Sequence, residues 1–359
     1  MENQNIKFIF LIVLLFNRHP GLVINCGKAI NEKLRPEFGK RLDISTWQKF
    51  NASNRLQGAI RSYETFRKMV ERLVEEGIKE KKYRPAVDFL RYSFAGFLGP
   101  IQINDSDEER QANCLTAEGV LTVVNKDDRI YRMSSAFIDE LVRRRVISDI
   151  YKSCPESTIP KKFDLSLDIL NILQTAIQFF DKDIISNAFD RSYKIADNLY
   201  VDGKQKNQVP RESVYDTELS RILVNWLVKK GGYIVIGQWH IVEKHDSEKD
   251  KHSYSDIVIT TDRQKIVLEL LATATKKELD EHFERVLKYA ELLSADEIWI
   301  VHFTCEDNYA QKLQWPSSDR INVVHFLHDR MLNVKMNARY TADNGTIEHI
   351  TDQAIPLLY

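Results

Sequence analysis

The sequence predicts an α/β protein: a C-terminal mixed sheet flanked by helices, preceded by a mainly helical region. Three observations carry this. From Val214 onward, apolar runs of strand length alternate with helical patterns, the signature of strands interleaved with helices. Two of those runs, YSDIVIT (254–260) and KIVLELLATA (265–274), are separated only by the polar turn Thr261, Asp262, Arg263 and Gln264, and read as a β-hairpin. Upstream of Val214 the period is helical, interrupted by one short hairpin.

A chain of 359 residues holds two or three domains and a substantial core. Its hydrophobic content of 43% and charged content of 29% are ordinary for a globular protein. The net charge of −1 excludes a global basic field, so any nucleic-acid site must be a local patch. Cys26, Cys114, Cys154 and Cys305 form no CxxC pair, which argues against a zinc site or a disulfide framework and fits free thiols.

Residues 1–60 are mixed. The run Phe8 to Phe16 is too short to span a bilayer, which takes ~20 residues. It reads as a buried core element or as the apolar region of a secretion signal; Glu2 and the absence of a prompt small-residue cleavage site favour the core. Residues 61–150 form a helical module. Phe66, Met69, Val70 and Leu73 make an apolar stripe, and RPAVDFLRYSFAGFLG (84–99) is a second helix with Pro85 in its first turn. DEERQANCLTAEGVL (107–121) predicts a helix, the turn Asn125 to Asp128 a hairpin, and SSAFIDELVRRRVI (134–147) a helix capped by Ser134 or Ser135, with Glu140 closing a capping box. Helix, hairpin, helix is the outline of a winged helix. Arg143, Arg144 and Arg145 can touch phosphate there, or form a solvated charged face.

Residues 151–213 read as a helical connector with a buried segment, LSLDILNILQTAIQFF, and end in the polar stretch 201–213, the best domain boundary in the chain. In 214–335 a helix runs from Asp216 to Lys229, then strands 233–242, 254–260 and 265–274, a long helix from Lys276, and strands 297–304 and 321–329. Residues 336–359 read as a C-terminal tail.

Chemistry concentrates on the hairpin. Alternation places Asp256, Val258 and Thr260 on one face of the first strand, and Lys265, Val267, Glu269, Leu271 and Thr273 on one face of the second. A carboxylate inside an apolar strand is costly unless it is paired or holds a metal. Two carboxylates brought together can hold a hard cation such as Mg²⁺. Glu218, in the preceding helix, is a third candidate, or a charge that complements the helix N-terminus. His240, His245 and His252 match no compact metal spacing, and His302 and His325 fit satisfied core histidines.

Helix Glu, strand Asp, strand Glu, helix: this order resembles the PD-(D/E)XK nuclease superfamily, with its restriction-endonuclease-like fold. The resemblance implies that Asp256 and Glu269 bind Mg²⁺ and that Glu218 assists. In that family the pattern continues E-x-K, and the lysine helps position or activate the attacking water; here the matching position is Leu271. Lys276 or Lys277, just past the strand, can supply the missing ammonium. His282, Arg285 and Tyr289 share one helix face, and the Arg285–Tyr289 spacing resembles the helix motif of RecB-like nucleases. On that likeness Lys276 and Tyr289 join the catalytic set, and His282 and Arg285 contact nucleic acid. The same residues also read as the polar flank of an amphipathic helix whose core face is Leu279, Phe283, Val286 and Ala290.

A wider resemblance, carried by LLFNRHPGLVINCGKAI (14–30), LTAEGVL with YRMSSAFIDELVRRRVI, and IVLELLATATKKELDEHFERVLKYAELLSADEIWIVHFT (266–304), is to Crinkler-type effector proteins of fungi and oomycetes. Those join a P-loop NTPase to a restriction-endonuclease-like nuclease domain. No G-x-x-x-x-G-K-[ST] occurs here, so ATP is not expected as a ligand, and residues 1–60 read as the remnant of an NTPase-type domain. The resemblance implies secretion and action in a host cell, including its nucleus, with host proteins as further partners and no membrane. The expectation is a Mg²⁺-dependent nuclease-like effector that hydrolyses nucleic acid, with DNA foremost. The alternative is a catalytically inactive binding module on the same fold, for which Leu271 is the evidence.

Overall fold

The computed structural model describes residues 27–34, 36, 63–79, 83–191, 194–196, 198–243 and 251–358. The apolar run Phe8 to Phe16, most of the segment 1–60, and the side chains of His240, His245 and His252 lie outside the described residues. The chain divides into two compact units, Met1–Ile150 and Tyr151–Tyr359.

In the first unit, helix α1 (Glu64–Glu71) runs on through π-type turns (Arg72–Glu76) into Gly77–Lys79 and buries Phe66, Met69, Val70 and Leu73. Helix α2 (Arg84–Ser93) carries Pro85 in its first turn, where a missing N–H is harmless. Strand β1 (Ile101–Gln102), helix α3 (Ser106–Ala117), strands β2 (Leu121–Asn125) and β3 (Ile130–Met133), and helix α4 (Ala136–Leu141) follow. The strands form a small antiparallel sheet in the order β1-β3-β2. Ser135 caps α4 by accepting the Ile138 N–H at 3.2 Å. Glu140 does not close a capping box; it pairs with Arg144 at 3.4 Å, one turn along. Arg143 is buried against Asp139 at 3.0 Å and is closed to phosphate, whereas Arg144 and Arg145 are half-buried.

The second unit begins where the sequence suggested a connector. Helices α5 (Ile169–Ile177) and α6 (Lys182–Arg191) lead to two miniature hairpins within 194–209, pairing Lys194–Ile195 with Gln208–Val209 and Tyr200–Val201 with Lys204–Gln205. The polar stretch read as a boundary is therefore folded, and the division falls instead at Ile150. Helix α7 (Glu212–Leu223) continues through π-type turns to Val228, and then comes the sheet.

That sheet has seven strands: β4 (Ile234–Glu243), β5 (Lys251–Thr260), β6 (Lys265–Ala272), β7 (Glu297–Thr304), β8 (Asn322–Asp329), β9 (Asn333–Thr341) and β10 (Ile347–Ile355), with helix α8 (Lys276–Leu293) between β6 and β7. The spatial order is β10-β9-β8-β7-β6-β5-β4. β4, β5 and β6 form an antiparallel meander, β7 and β8 lie parallel to β6, and β9 and β10 return antiparallel. The sheet is thus mixed, and the expected tail 336–359 is in fact most of its last two strands. β10 is largely exposed, so its residues carry little apolar alternation to mark it as a strand.

Helices cover both faces. α8 packs Leu279, Phe283, Val286 and Ala290 against Val258, Val267, Leu271, Ile298, Ile300 and Val323. On the opposite face Tyr215 of α7 stacks on Phe303 of β7, with ring centroids 4.5 Å apart. Thr275 starts α8 with a capping box, accepting the Glu278 N–H while Glu278 accepts the Thr275 N–H at 2.7 Å. Cys114, Cys154 and Cys305 are free thiols. Among the described residues no helix is long and apolar enough to cross a membrane.

Candidate metal centre

The turn at Thr261 to Gln264 closes as expected: Thr261 N–H donates to the Gln264 carbonyl at 2.9 Å. The β5–β6 ladder then runs from Thr260↔Lys265 to Ile257↔Leu268 and ends. The next pair in that register is Asp256 and Glu269. In place of a ladder bond, Asp256 Oδ2 accepts the Leu270 N–H at 2.7 Å, while β6 stays paired with β7 as far as Ala272. Asp256 is thereby held at the fork between β5 and β6, beside Glu269.

Glu269 is 1% exposed. Its Oε1 accepts from Arg285 Nε at 3.2 Å and also from Nη2, and His282 Nδ1 lies 3.3 Å from the same oxygen. Its Oε2 is buried with no hydrogen-bond partner. A buried acceptor left without a donor is destabilising, the more so when it carries charge. One oxygen is held by the Arg285 guanidinium, whose Nη2 also donates to His282 Nδ1 at 2.7 Å, and the other is presented unpartnered.

Two more carboxylates bear on this pair, both from α7. Glu212 is its first residue and Asp216 lies one turn later, 3% exposed, with its Oδ1 accepting from Ser220 Oγ at 3.1 Å. Burial raises the Asp256 carboxyl well above the usual range, and the charges of Glu269, Glu212 and Asp216 raise it further. The Glu212 carboxyl is pushed up to about 7, by burial first and then by Glu269, with Lys194 opposing and Asp216 adding. Lys194, from the first miniature hairpin, donates its ammonium to the carbonyl of Ala272 at the end of β6. Glu212 and Asp216 thus bear on Asp256 through charge, and at Glu212 the cations Lys194 and Arg285 oppose the carboxylates.

The residues expected from sequence are distributed as follows. Asp256, Glu269, His282 and Arg285 come together. Glu218 is fully buried elsewhere, in an ion pair with Arg221 at 2.9 Å, and accepts the Asp181 N–H at 3.2 Å. It follows Asp216 by two residues, which turns it to a different side of α7. Tyr289 is buried in the α8 core, with the Arg285 guanidinium 5.9 Å from its ring centre. Lys276 is exposed at the start of α8, and Lys277 pairs with Glu281 at 3.7 Å. Leu271 is buried in the apolar cluster beneath α8.

His302 and His325 are satisfied core histidines. Ala274 N–H donates to His302 Nε2 at 3.1 Å, so His302 Nδ1–H faces His325 Nδ1 at 3.0 Å, and His325 Nε2–H meets the Gln314 carbonyl at 3.0 Å. Burial lowers both rings' pKa, that of His325 to about 4.

The sequence reading missed Glu212, Asp216 and Lys194. It started the helix at Asp216, which left Glu212 in a supposed linker. Pro210 followed closely by an acidic residue is a helix-start signal that would have recovered it.

Among the described residues, no group of three or more His, Cys, Asp or Glu side chains is placed to hold a metal ion. A cage is not what Mg²⁺ requires: it keeps several waters and is bound through one or two carboxylates. An orphaned buried Oε2 on Glu269, next to an Asp256 carboxyl destabilised by like charges, fits a divalent cation of that kind. No protein-family model matches the chain, and no curated protein or solved structure matches it.

Proposed function

We propose that residues 211–329 form a metal-dependent phosphodiesterase centre of the PD-(D/E)XK type, acting on nucleic acid and on DNA foremost. The observation that carries this reading is the unpartnered, buried Oε2 of Glu269 beside Asp256 at the end of the β5–β6 ladder. The element order supports it: helix α7, the meander β4-β5-β6, helix α8, and β7 parallel to β6. So does a mixed sheet with a helix on each face.

Asp256 and Glu269 would hold the cation. A bound Mg²⁺ makes water a stronger nucleophile and offsets charge on a phosphoryl oxygen. Arg285 fixes Oε1 of Glu269, and His282 accepts from the same guanidinium, which leaves Oε2 for the ion. Glu212, with its carboxyl near 7, can take up or release a proton close to neutral pH, the range a general acid–base group needs. The reading extends to the Crinkler-type likeness of residues 14–305, and the α3–hairpin–α4 order of the first unit supports a winged-helix module there.

A second reading, a binding module without hydrolysis, is favoured by one observation: Leu271 lies in an apolar core and offers no ammonium. Incubation of purified protein with DNA and RNA, with Mg²⁺ or with EDTA, separates the two. Cleavage that needs the metal and is lost in Asp256→Ala supports the nuclease. Metal-independent binding without cleavage supports the module.

A further inference from the structure

On the sheet face opposite Glu269, the second unit carries a cleft with an aromatic wall and an acidic rim. Trp299 shares its face of β7 with Phe303, which stacks on Tyr215 of α7, whereas Glu269 alternates with Val267 and Leu271 beneath α8. The cleft, 370 Å³ in volume, lies between the start of α5 and the turn that joins β9 to β10. Trp299 and Tyr340 stack in its wall beside Leu170, with ring centroids 6.5 Å apart and planes 22° from parallel.

Three carboxylates line the same space: Asp168, Asp343 and Glu348. Glu348 accepts the Tyr340 hydroxyl at 2.8 Å, and Asp168 caps α5 by accepting the Asn171 N–H at 3.1 Å. None of the three forms an ion pair among the described residues. The basic side chain at the cleft, Lys162, is already paired with Glu297 at 3.3 Å, and the other oxygen of Glu297 accepts from Trp299 Nε1 at 2.7 Å.

A second feature adjoins the cleft. The loop 160–168, which supplies Lys162 and Asp168, leaves Phe163 99% exposed and Leu165 58% exposed. Backbone bonds make this loop rigid. The Lys162 N–H donates to the Ser166 carbonyl at 2.9 Å, and the Leu165 N–H to the Lys162 carbonyl at 3.0 Å. Arg263 Nη1 donates to the Asp164 carbonyl at 3.0 Å. Two large apolar side chains are thus held in water on a preordered loop, which lowers the ordering cost of covering them with a partner.

We infer that this cleft receives an arginine side chain of a protein partner, with an apolar neighbour of that arginine resting on Phe163 and Leu165. A guanidinium is planar and stacks on an aromatic ring, and its forked donors match carboxylates. A lysine ammonium meets the charge without the stacking. A nucleic-acid phosphate would be repelled by the rim. The inference does not depend on the nuclease reading.

The test uses the full chain and a fluorescently labelled peptide with one arginine between two leucines. Companion peptides carry lysine or citrulline at the arginine position; citrulline keeps the planar shape and loses the charge. Anisotropy titrations are run on wild type, Asp343→Asn, Glu348→Gln and Phe163→Ser. Wild type should bind the arginine peptide saturably, one to one, and the lysine peptide more weakly. Citrulline, Asp343→Asn and Glu348→Gln should each weaken binding by about tenfold or more, the scale of one charge-assisted contact. Phe163→Ser should weaken it by about fivefold or more, the mark of a contact that carries binding energy. All three substituted positions are exposed, so thermal midpoints should stay at the wild-type value. A wild type that binds no peptide, equal binding of the citrulline peptide, or carboxylate variants that bind as wild type does would each overturn the inference. Sedimentation supplies a further check: self-association of wild type that Phe163→Ser abolishes would overturn it in favour of a second copy of this chain.

Discussion

Asp256 Oδ2 accepts the backbone N–H of Leu270 at 2.7 Å, at the point where strands β5 and β6 cease to pair. This one bond fixes a carboxylate at a fork in the sheet. The amide it uses has no strand partner on that side, so the side chain stands in for a ladder bond.

Proton release should accompany metal binding. Asp256 and Glu212 both have raised pKa values, and a divalent cation favours their ionised forms. Mn²⁺ affinity should rise with pH through about 7, the value for Glu212. Calorimetry in buffers of different ionisation enthalpy should report protons released on ion binding near pH 6, below the value of about 7 for Glu212; no release would contradict the coupling.

The same shifts set the pH dependence of stability without metal. A carboxyl whose folded pKa is raised contributes stability that is full below its unfolded value and is lost as pH rises through the folded value. For Glu212 the window runs from the ordinary 4.5 to about 7. The metal-free protein should therefore have a thermal midpoint that falls across that window, and saturating Mg²⁺ should flatten the decline.

Arg285→Ala should destabilise by roughly 1–3 kcal/mol. Breaking a fully buried ion pair costs about 3–5 kcal/mol, and the Arg285 side chain is 43% exposed, which lowers the figure. Because Glu269 is then left unneutralised, Mn²⁺ should raise the midpoint of this variant more than that of wild type. Urea unfolding with and without the ion measures both effects.

Glu218→Gln should act on stability alone. It leaves buried Arg221 without its carboxylate, at a cost of about 3–5 kcal/mol. Mn²⁺ affinity, measured below the lowered midpoint, should match wild type. A lost metal site in a folded variant would return Glu218 to the centre.

The hairpin was legible in the sequence because its signals are local: alternation on two runs, a short polar turn, and two carboxylates at fixed offsets from it. Arg285 and His282 were legible for a similar reason, as residues three apart on one helix face. Glu212 was not, because its role depends on where α7 leaves extended backbone, and polar residues on both sides blur that point. Lys194 could not be read at all. It meets Ala272 across 78 positions of sequence, a proximity created only by tertiary folding. Residues 336–359 read as a tail in the sequence because an exposed sheet edge needs few apolar residues. Leu271 alternates with Glu269 on β6 and lies in the apolar cluster beneath α8, so that position serves the core.

The claim on which the rest depends is that Asp256 and Glu269 bind a divalent cation. Calorimetric titration of Mn²⁺ into wild type, Asp256→Asn and Glu269→Gln at pH 7.5, roughly half a unit above the value for Glu212, tests it directly. The account predicts a saturable site in wild type, lost or weakened at least about tenfold in each variant while both remain folded. A wild type that binds no ion, or variants that bind as wild type does, would contradict it.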